Sequence, residues 1–194
     1  MDTLISHISP KAPVSEAYRT LRTNIQFSDL DKELHTILFT SSMPGEGKTT
    51  TTSNIGIVSA KAGKKVLIID ADLRKPNIHK MFNKVNSKGL SDALLSDDIP
   101  TRFVIPTEEP GLDLMLSGPI PPNPSEILGS KRMRALVEKL KGYYDLILID
   151  APPVGIVTDA QILSTYADGT MLVLRVGHGD RKQASYAVEL LKNV

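Results

Sequence analysis

Short runs of consecutive apolar residues alternate along the chain with segments in which apolar residues recur every three or four positions. Residues 66–69 and 146–149 are apolar at every position, a pattern typical of strands that are buried on both faces of a parallel sheet. In the segment 131–141, apolar residues instead follow the period of a helix with one buried face. This alternation predicts an α/β fold with a doubly wound, mostly parallel sheet flanked by helices.

The same patterns define the other elements of what we expect to be a single domain of 194 residues. Residues 1–14, which include two prolines, are expected to form a flexible arm, and Ser15 is expected to cap a helix over 15–28. The predicted strands are 36–40, 65–70, 112–116, 146–149 and 170–176, and the predicted helices after the first are 48–62, 131–141, 160–166 and 180–192.

Composition and charge exclude several classes of protein. The chain has no Cys, so a disulfide scaffold, a zinc finger and a thiol nucleophile are excluded together. Lys and Arg number 23 against 22 Asp and Glu, and the formal charge of +1 offers no electrostatic footprint for nucleic acid. With no Trp, four Phe and five Tyr, an aromatic platform for single-stranded bases is not expected either. We therefore expect no nucleic-acid partner.

The apolar runs of this chain are far shorter than the ~20 residues of a membrane-spanning helix. Residues 1–13 contain neither the apolar core nor the cleavage site of a secretory signal. A cytoplasmic location is therefore expected, and a peripheral association with a membrane stays open.

The strongest local signal is the segment Ser42-Met43-Pro44-Gly45-Glu46-Gly47-Lys48-Thr49, which lies between a predicted strand and a predicted helix. Its glycines let backbone N–H groups approach a phosphate, Lys48 can reach the β and γ phosphates, and Thr49 offers a hydroxyl to Mg²⁺. The predicted nucleotide-binding residues are Pro44, Gly45, Glu46, Gly47, Lys48, Thr49 and Thr50. The usual pattern begins with Gly where this chain has Ser42, and the alternative interpretation is a Gly/Pro turn before a Lys-capped helix.

Carboxylates directly follow two of the predicted strands. Asp70 and Asp72 come after the second strand and Asp150 after the strand 146–149, so they share with the phosphate loop the edge of the sheet at which ligands bind. Three carboxylates beside a triphosphate repel one another unless a cation such as Mg²⁺ is bound among them. Arg74 could offset charge that develops on a transferred group. Taken singly, each Asp could also be a cap or a turn residue.

Together these motifs resemble the Walker A, A′ and B set of the bacterial tyrosine kinases of capsule and exopolysaccharide synthesis, whose fold is that of MinD/ParA-like P-loop NTPases. The matching segments extend from about residue 15 to the end and are 16–22, 44–49, 69–76, 117–126, 149–153 and 158–161. The A′ segment is Ile69-Asp70-Ala71-Asp72-Leu73-Arg74-Lys75-Pro76. It is the most discriminating of the matching segments, because a generic P-loop ATPase has no reason to carry it.

The resemblance implies transfer of the γ-phosphoryl group of ATP to tyrosine on protein substrates, with autophosphorylation in trans. It implies that Asp70 and Asp72 serve the metal and the tyrosine hydroxyl, with Asp72 favoured as the base. The implied catalytic residues are Asp72, Asp70, Lys48 and Arg74, the implied metal ligands are Thr49, Asp70 and Asp150, and the implied cofactors are ATP and Mg²⁺.

The resemblance also implies partners. The segment that carries Glu16, Arg19 and Arg22 is similar to the family's E-x-x-R-x-x-R oligomerisation helix and implies a homo-oligomeric ring. The alternative is a Glu16–Arg19 pair within one helix. Kinases of this length in the family need a separate membrane protein, a polysaccharide co-polymerase, whose cytoplasmic tail activates them. Recruitment to the inner face of the cell membrane by that activator is therefore expected.

The chain departs from the family pattern at its C-terminal end, and two other functional classes stay open. The family ends in a final strand and a tyrosine-rich tail, which are missing after residue 192 here, so we expect either a truncated chain or a substrate that lies elsewhere. The first alternative class is a MinD/ParA-type ATPase switch, although Met43 stands where such proteins usually carry a second Lys. The other alternative class is a scaffold that binds nucleotide without turnover.

Overall fold

The structure, a computed structural model, describes residues 4–28, 34–177 and 179–194. Within these residues the strands are β1 (Thr36–Ser41), β2 (Val66–Asp70), β3 (Ile105–Pro106), β4 (Leu112–Met115), β5 (Leu146–Asp150) and β6 (Gly169–Val173). The helices of the same residues are α1 (Ile5–Ile8), α2 (Pro13–Gln26), α3 (Lys48–Ala60), α4 (Ile78–Met81), α5 (Leu90–Leu95), α6 (Pro124–Leu128), α7 (Lys131–Lys141), α8 (Asp159–Ser164) and α9 (Arg181–Lys192), with a 3₁₀ turn at Pro100–Phe103.

The strands form one sheet in the order β3-β4-β2-β5-β1-β6. Every neighbouring pair is parallel except β3 with β4, which is antiparallel. Because β5 lies between β1 and β2, the C-terminal ends of these three strands meet at one edge of the sheet, where Asp70 is paired in register with Asp150. The predicted doubly wound, mostly parallel sheet is therefore confirmed.

Successive strand residues point into two hydrophobic clusters, one on each face of the sheet. In β2, Leu67 and Ile69 belong to one cluster, while Val66 and Ile68 belong to the other. Helices α5 to α9 cover the first face, and α1 to α4 cover the second. Each such strand side chain is fully buried, which stabilises the fold by about 1.5–3 kcal/mol per residue. The continuous apolar runs of the sequence are thus explained by burial from both sides.

The N-terminal segment is packed from Leu4 onwards, so the prediction of a flexible arm over 1–14 is wrong for its described part. Leu4 is buried in the second cluster, and the N–H of Ser6 donates to Asn54 Oδ1 at 2.9 Å. Lys61 Nζ donates to the Ser6 carbonyl oxygen at 2.7 Å. These partners are in α3 and directly after it, too distant in sequence for a local pattern to indicate them. Residues 1–3 lie outside the described part.

The first long helix starts earlier than predicted. Pro13 is the first residue of α2, a position that Pro favours because its missing N–H has no partner there. Ser15 does not cap the helix, because its hydroxyl donates instead to the Ser9 carbonyl oxygen at 2.8 Å. The helix ends at Gln26, and the polar residues 29–33 that follow lie outside the described part.

The edge strand β3 was not predicted. It has only two residues and contains Pro106. Proline is tolerated in an edge strand because one side of that strand has no neighbouring strand to which a backbone N–H would donate.

Among the described residues, no helix has both the length and the apolar character that crossing a bilayer requires.

Candidate active site

The phosphate loop connects β1 to α3 at the C-terminal edge of the sheet. Gly45 and Gly47 have φ angles of +82° and +94°, in the left-handed region that is accessible to Gly at little cost. Gly47 is the residue that precedes the first turn of α3. The free N–H groups of a helix N-terminus form a site for anions. Because α3 begins at Lys48, this helix end coincides with the predicted phosphate site.

Glu46, which was predicted to contact the nucleotide, turns its side chain into the loop instead. Its Oε2 atom accepts hydrogen bonds from Ser42 Oγ at 2.9 Å and from the N–H of Met43 at 2.8 Å. The side chain is buried. Glu46 therefore braces the loop, and Ser42, which stands in place of the usual first Gly, supplies one of the two donors.

The segment that follows β5 packs against the phosphate loop. The N–H of Val154 donates to the Ser41 carbonyl oxygen at 2.9 Å. At Gly155, a Cβ atom would lie 2.4 Å from the Ser42 carbonyl oxygen, far inside van der Waals contact. Gly155 is therefore needed for close approach, and the loop after β5 fixes one wall of the phosphate loop.

The predicted phosphate and metal residues meet in one buried cluster. Lys48 Nζ lies 3.1 Å from Asp72 Oδ2 and 3.4 Å from Asp150 Oδ2. The Thr49 hydroxyl donates to Asp150 Oδ2 at 2.7 Å. Asp150 is fully buried. Residues from three separate stretches of chain thus converge on one point at the edge of the sheet, as the sequence motifs predicted.

The two acids of the A′ segment occupy different layers of the site. Asp72 lies on the pocket wall, where its Oδ1 atom accepts the N–H of Lys75 at 3.0 Å. Asp70 is fully buried behind it, and its Oδ2 atom accepts the N–H groups of Asn77 and Ile78 at 3.1 and 3.0 Å. The other oxygen of Asp70, Oδ1, is buried without a hydrogen-bond partner among the described residues.

The electrostatics of this cluster favour an additional cation. Burial, together with repulsion from Asp150, raises the pKa of Asp70 to about 8, and burial also raises the pKa of Asp150. Burial works against the charge of Lys48, but the attraction of Asp150 and Asp72 outweighs it and raises the Lys48 pKa. One ammonium therefore does not compensate the charge of all three acids, and the charged form of Asp70 is disfavoured. A divalent cation would supply the missing positive charge and favour that charged form.

The donor set fits Mg²⁺ that is shared with a phosphate ligand. Among the described residues, no three acidic or histidine side chains converge closely enough to hold a metal by themselves. Mg²⁺ usually binds through one or two protein oxygens and completes its shell with water and substrate phosphates. The Thr49 hydroxyl and the Asp150 carboxylate, 2.7 Å apart, supply such a partial set. Asp70, paired in register with Asp150, adds a buried oxygen, Oδ1, that has no hydrogen-bond partner among the described residues.

These residues border an open cavity of about 410 Å³, a size that suits a small-molecule ligand. Its lining residues are Pro44, Gly45, Gly47, Lys48, Thr49, Thr50, Asp72, Arg74, Lys75, Asn77, Pro152, Pro153, Ile156 and Val157. All predicted nucleotide-binding residues except Glu46 are thus brought to the cavity wall.

Arg74, predicted to offset charge on a transferred group, is engaged elsewhere. Its Nε and Nη2 atoms donate to the two Asp159 carboxylate oxygens at 2.9 and 3.0 Å, and Nη2 also donates to Ser125 Oγ at 2.8 Å. The Ser125 hydroxyl donates to Asp159 Oδ1 at 2.7 Å, and Asp159 is fully buried. The triad of Arg74, Ser125 and Asp159 therefore ties the A′ segment to the starts of α6 and α8, and the charge of Arg74 is largely neutralised.

Replacing Asp159 by Asn is expected to destabilise the protein by about 1–3 kcal/mol, because the buried negative charge and one of the two acceptor oxygens of the bidentate Arg pair are lost. Urea unfolding measures this change. Asp97→Asn is the matched control, since Asp97 pairs with Arg132 on the surface, where an ion pair contributes about 0–1 kcal/mol. Equal losses of unfolding free energy in the two variants would show that the triad does not hold the segments together.

Glu16, Arg19 and Arg22 of the E-x-x-R-x-x-R segment all have partners in the same chain. Arg19 forms an ion pair with Glu16 in the same helix and also donates to the Pro10 carbonyl oxygen. Arg22 Nη1 donates to the Val58 carbonyl oxygen at 3.3 Å. The intrahelical pair that the sequence offered as an alternative is therefore present.

Thr52 and Lys75 are among the site residues that sequence reasoning missed. The Thr52 hydroxyl lies 3.5 Å from Asp150 Oδ1 and donates to the Lys48 carbonyl oxygen at 2.9 Å. Its helical spacing from Thr49 places both on one face, and this spacing was the available signal. Lys75 lines the cavity, and its position directly after Arg74 was the only indication.

Known proteins resemble this chain in sequence over nearly its whole length. The family model described as AAA domain matches residues 34–178. The tyrosine-protein kinase YwqD of Bacillus subtilis is 46% identical over 97% of this chain and 79% of its own length. A Klebsiella pneumoniae relative, described as a tyrosine-protein kinase in a cps region, is 35% identical over 98% of this chain. The present chain spans only 26% of that longer protein.

Solved structures also show similarity to bacterial tyrosine kinases. The kinase domain of the Escherichia coli tyrosine kinase ETK matches with a TM-score of 0.93 at 34% identity, over 98% of this chain and 74% of that one. A MinD protein from Pyrococcus horikoshii matches less well, with a TM-score of 0.61 over 72% of this chain and 57% of that one. The MinD-type alternative is therefore not favoured. By its motifs, its overall sequence and its fold, the chain belongs to the bacterial tyrosine-protein kinases.

Proposed function

We propose that this protein transfers the γ-phosphoryl group of ATP to tyrosine hydroxyls of protein substrates. The observation that carries the proposal is the convergence of Lys48, Thr49, Asp72 and Asp150 on one cavity at the phosphate loop. Family membership supports the same activity. Phosphoryl transfer asks mainly for positioning and charge stabilisation, and this cluster offers both.

The triphosphate would lie along the loop, with the N-terminus of α3 and Lys48 beside its β and γ phosphates. Thr49 and Asp150 would hold Mg²⁺, with Asp70 behind them. When bound, the ion neutralises negative charge on the phosphates and relieves the repulsion among the three carboxylates. Thr50 and Pro44 also line the cavity and would contact the nucleotide.

Asp72 is the better of the two candidate bases. It lies on the cavity wall, whereas Asp70 is buried behind it with one oxygen occupied by two backbone N–H groups. In the reaction, the tyrosine oxygen forms a bond to the γ phosphorus while the bond from that phosphorus to the β–γ bridging oxygen breaks. The phenolic proton passes to the Asp72 carboxylate, and ADP leaves. A base is needed because the tyrosine hydroxyl has a pKa of ~10.

Arg74 would support this reaction by holding the segment with the proposed base in place. Its pairing with Asp159 and Ser125 fixes the segment that carries Asp70 and Asp72. Arg74 thus acts as a positioning residue for the proposed base.

The biological setting is proposed from the relatives. We infer a role in capsular or exopolysaccharide synthesis and export, with autophosphorylation in trans within a homo-oligomeric ring. Glu16, Arg19 and Arg22 would form the ring contacts by exchanging their intrachain partners for those of a neighbouring subunit. The activator would be the cytoplasmic tail of a membrane polysaccharide co-polymerase, which recruits the kinase to the inner face of the membrane. The small share of the Klebsiella pneumoniae protein that this chain spans is consistent with such an additional component.

The test is a phosphorylation assay with labelled ATP, Mg²⁺, a tyrosine-bearing peptide and the activator segment. Phosphotyrosine that requires Mg²⁺ and disappears with EDTA is the expected product. Hydrolysis of ATP to ADP without any phosphotyrosine would support the ATPase-switch class and overturn the proposal. Binding of ATP with neither product would point to a scaffold.

A further inference from the structure

The lining of the active-site cavity combines two kinds of surface. Two consecutive cationic residues, Arg74 and Lys75, line it and are both exposed. Pro153, Ile156 and Val157 also line it, and Ile156 is 56% exposed although it is apolar. A segment that enters this cavity would therefore meet both positive charge and an apolar surface.

The charges of the three cations that line this cavity are not equivalent. Lys48 is paired with Asp72 and Asp150, and Arg74 is paired with the buried Asp159. For Lys75, no carboxylate of residues 4–28, 34–177 or 179–194 lies within ion-pairing distance of Nζ, whereas such partners are present for the other two. Lys75 is therefore the cation of the cavity wall whose charge is available to a ligand.

The backbone of Lys75 is fixed next to the proposed base. Its N–H donates to Asp72 Oδ1 at 3.0 Å, so the side chain starts at the point where a tyrosine hydroxyl would be deprotonated. An extended peptide advances ~3.4 Å per residue. The Lys75 ammonium can thus reach residues within about three positions of a tyrosine held at Asp72.

We propose that Lys75 determines substrate specificity by binding acidic side chains beside the target tyrosine. The substrate is a tyrosine segment flanked by Asp or Glu, with an apolar part that packs against Ile156 and Val157. Charge complementarity carries this assignment, because Lys75 is the available cation and the apolar residues Ile156 and Val157 line the same cavity. The proposal rests on the proposed tyrosine-kinase function and names the substrate class of that site.

A charge-swap experiment tests this specificity. Three peptides of equal length carry one tyrosine with two Glu, two Gln or two Lys on each side, and KM and kcat are measured for each with the intact chain, Mg²⁺-ATP and the activator segment. The wild-type protein is expected to have a KM for the Glu peptide about two- to fivefold below that for the Gln peptide, as one exposed charge pair allows. Lys75→Glu is expected to reverse the order, with the Lys peptide preferred. The preference should shrink in 0.5 M salt, because exposed charges are then screened.

Lys80→Glu is the matched control. Lys80 is exposed on α4 but does not line the cavity, so the same change of net charge should leave the peptide preference as in wild type. An equal shift in Lys80→Glu would show a general effect of net charge and overturn the proposal.

Other results separate this proposal from the function on which it rests. If wild type phosphorylates all three peptides equally and Lys75→Glu changes nothing, the specificity proposal fails and the kinase function stands. If Lys75→Glu raises the KM for ATP and leaves the peptide order unchanged, Lys75 serves the nucleotide and the proposal also fails. If no peptide is phosphorylated by wild type while ATP is hydrolysed, the kinase function itself fails.

Discussion

Replacing Lys48 by Met is expected to lower the rate of phosphotyrosine formation by about 10²–10³-fold. Lys48 Nζ lies within 4 Å of both Asp72 and Asp150, and it is the group that would stabilise negative charge on the transferred phosphoryl. Without it, the carboxylates of Asp72 and Asp150 would lie beside the triphosphate with only the metal to offset their charge. Both kcat and the affinity for Mg²⁺-ATP should therefore fall. Single-turnover phosphorylation and calorimetric titration with a non-hydrolysable ATP analogue measure the two effects.

The control for this prediction is Lys80→Met, which removes an exposed ammonium outside the cavity. It should keep the wild-type rate and affinity. A Lys48→Met protein that still forms phosphotyrosine within about threefold of the wild-type rate would contradict the placement of the γ phosphate at Lys48. Urea unfolding of both variants separates a loss of catalysis from a loss of fold.

Replacing Asp72 by Asn is expected to lower kcat by about 10²–10⁴-fold while the affinity for Mg²⁺-ATP changes little. The amide keeps the shape of the side chain and can still accept the N–H of Lys75, but it cannot take up the phenolic proton. The loss should therefore appear in the chemical step. Measuring kcat with a saturating peptide, beside nucleotide affinity, detects this separation.

Asp70→Asn distinguishes the two acids. Without a cation, burial favours the protonated, neutral form of Asp70, whose pKa is raised to about 8. A bound divalent cation would favour the charged carboxylate, a form that the amide of Asn cannot adopt. We expect this variant to weaken Mg²⁺-dependent nucleotide binding more than it lowers kcat. If instead Asp70→Asn abolishes turnover and Asp72→Asn leaves it intact, Asp70 is the base.

The parts of the fold that follow from local pattern were predictable from the sequence. Fully apolar runs such as those of β2 and β5 indicate strands covered on both faces, and the structure places them in the centre of a parallel sheet. Once these strands are parallel, their C-terminal acids must lie at one edge. The meeting of Asp150 with Lys48 across 102 positions of sequence is thus a consequence of topology.

The features that depend on particular distant partners were not predictable. Arg74 faces a cavity, and nothing in its neighbourhood along the chain shows that Asp159 neutralises it from 85 positions away. The turn of the Glu46 side chain into its own loop depends on the hydroxyl of Ser42 and the N–H of Met43, a geometry that spacing alone does not specify. The packing of Leu4 depends equally on a cluster formed by the rest of the chain.

The central claim is that one metal–triphosphate pocket is formed by Lys48, Thr49, Asp72 and Asp150. A crystal structure with Mn²⁺ and a non-hydrolysable ATP analogue tests it most directly, because the anomalous signal of manganese locates the metal independently of the protein atoms. We expect the metal peak beside Thr49 Oγ1 and Asp150, with the γ phosphate at Lys48 Nζ. A metal peak and triphosphate located away from the loop at Gly45 and Gly47 would contradict the claim.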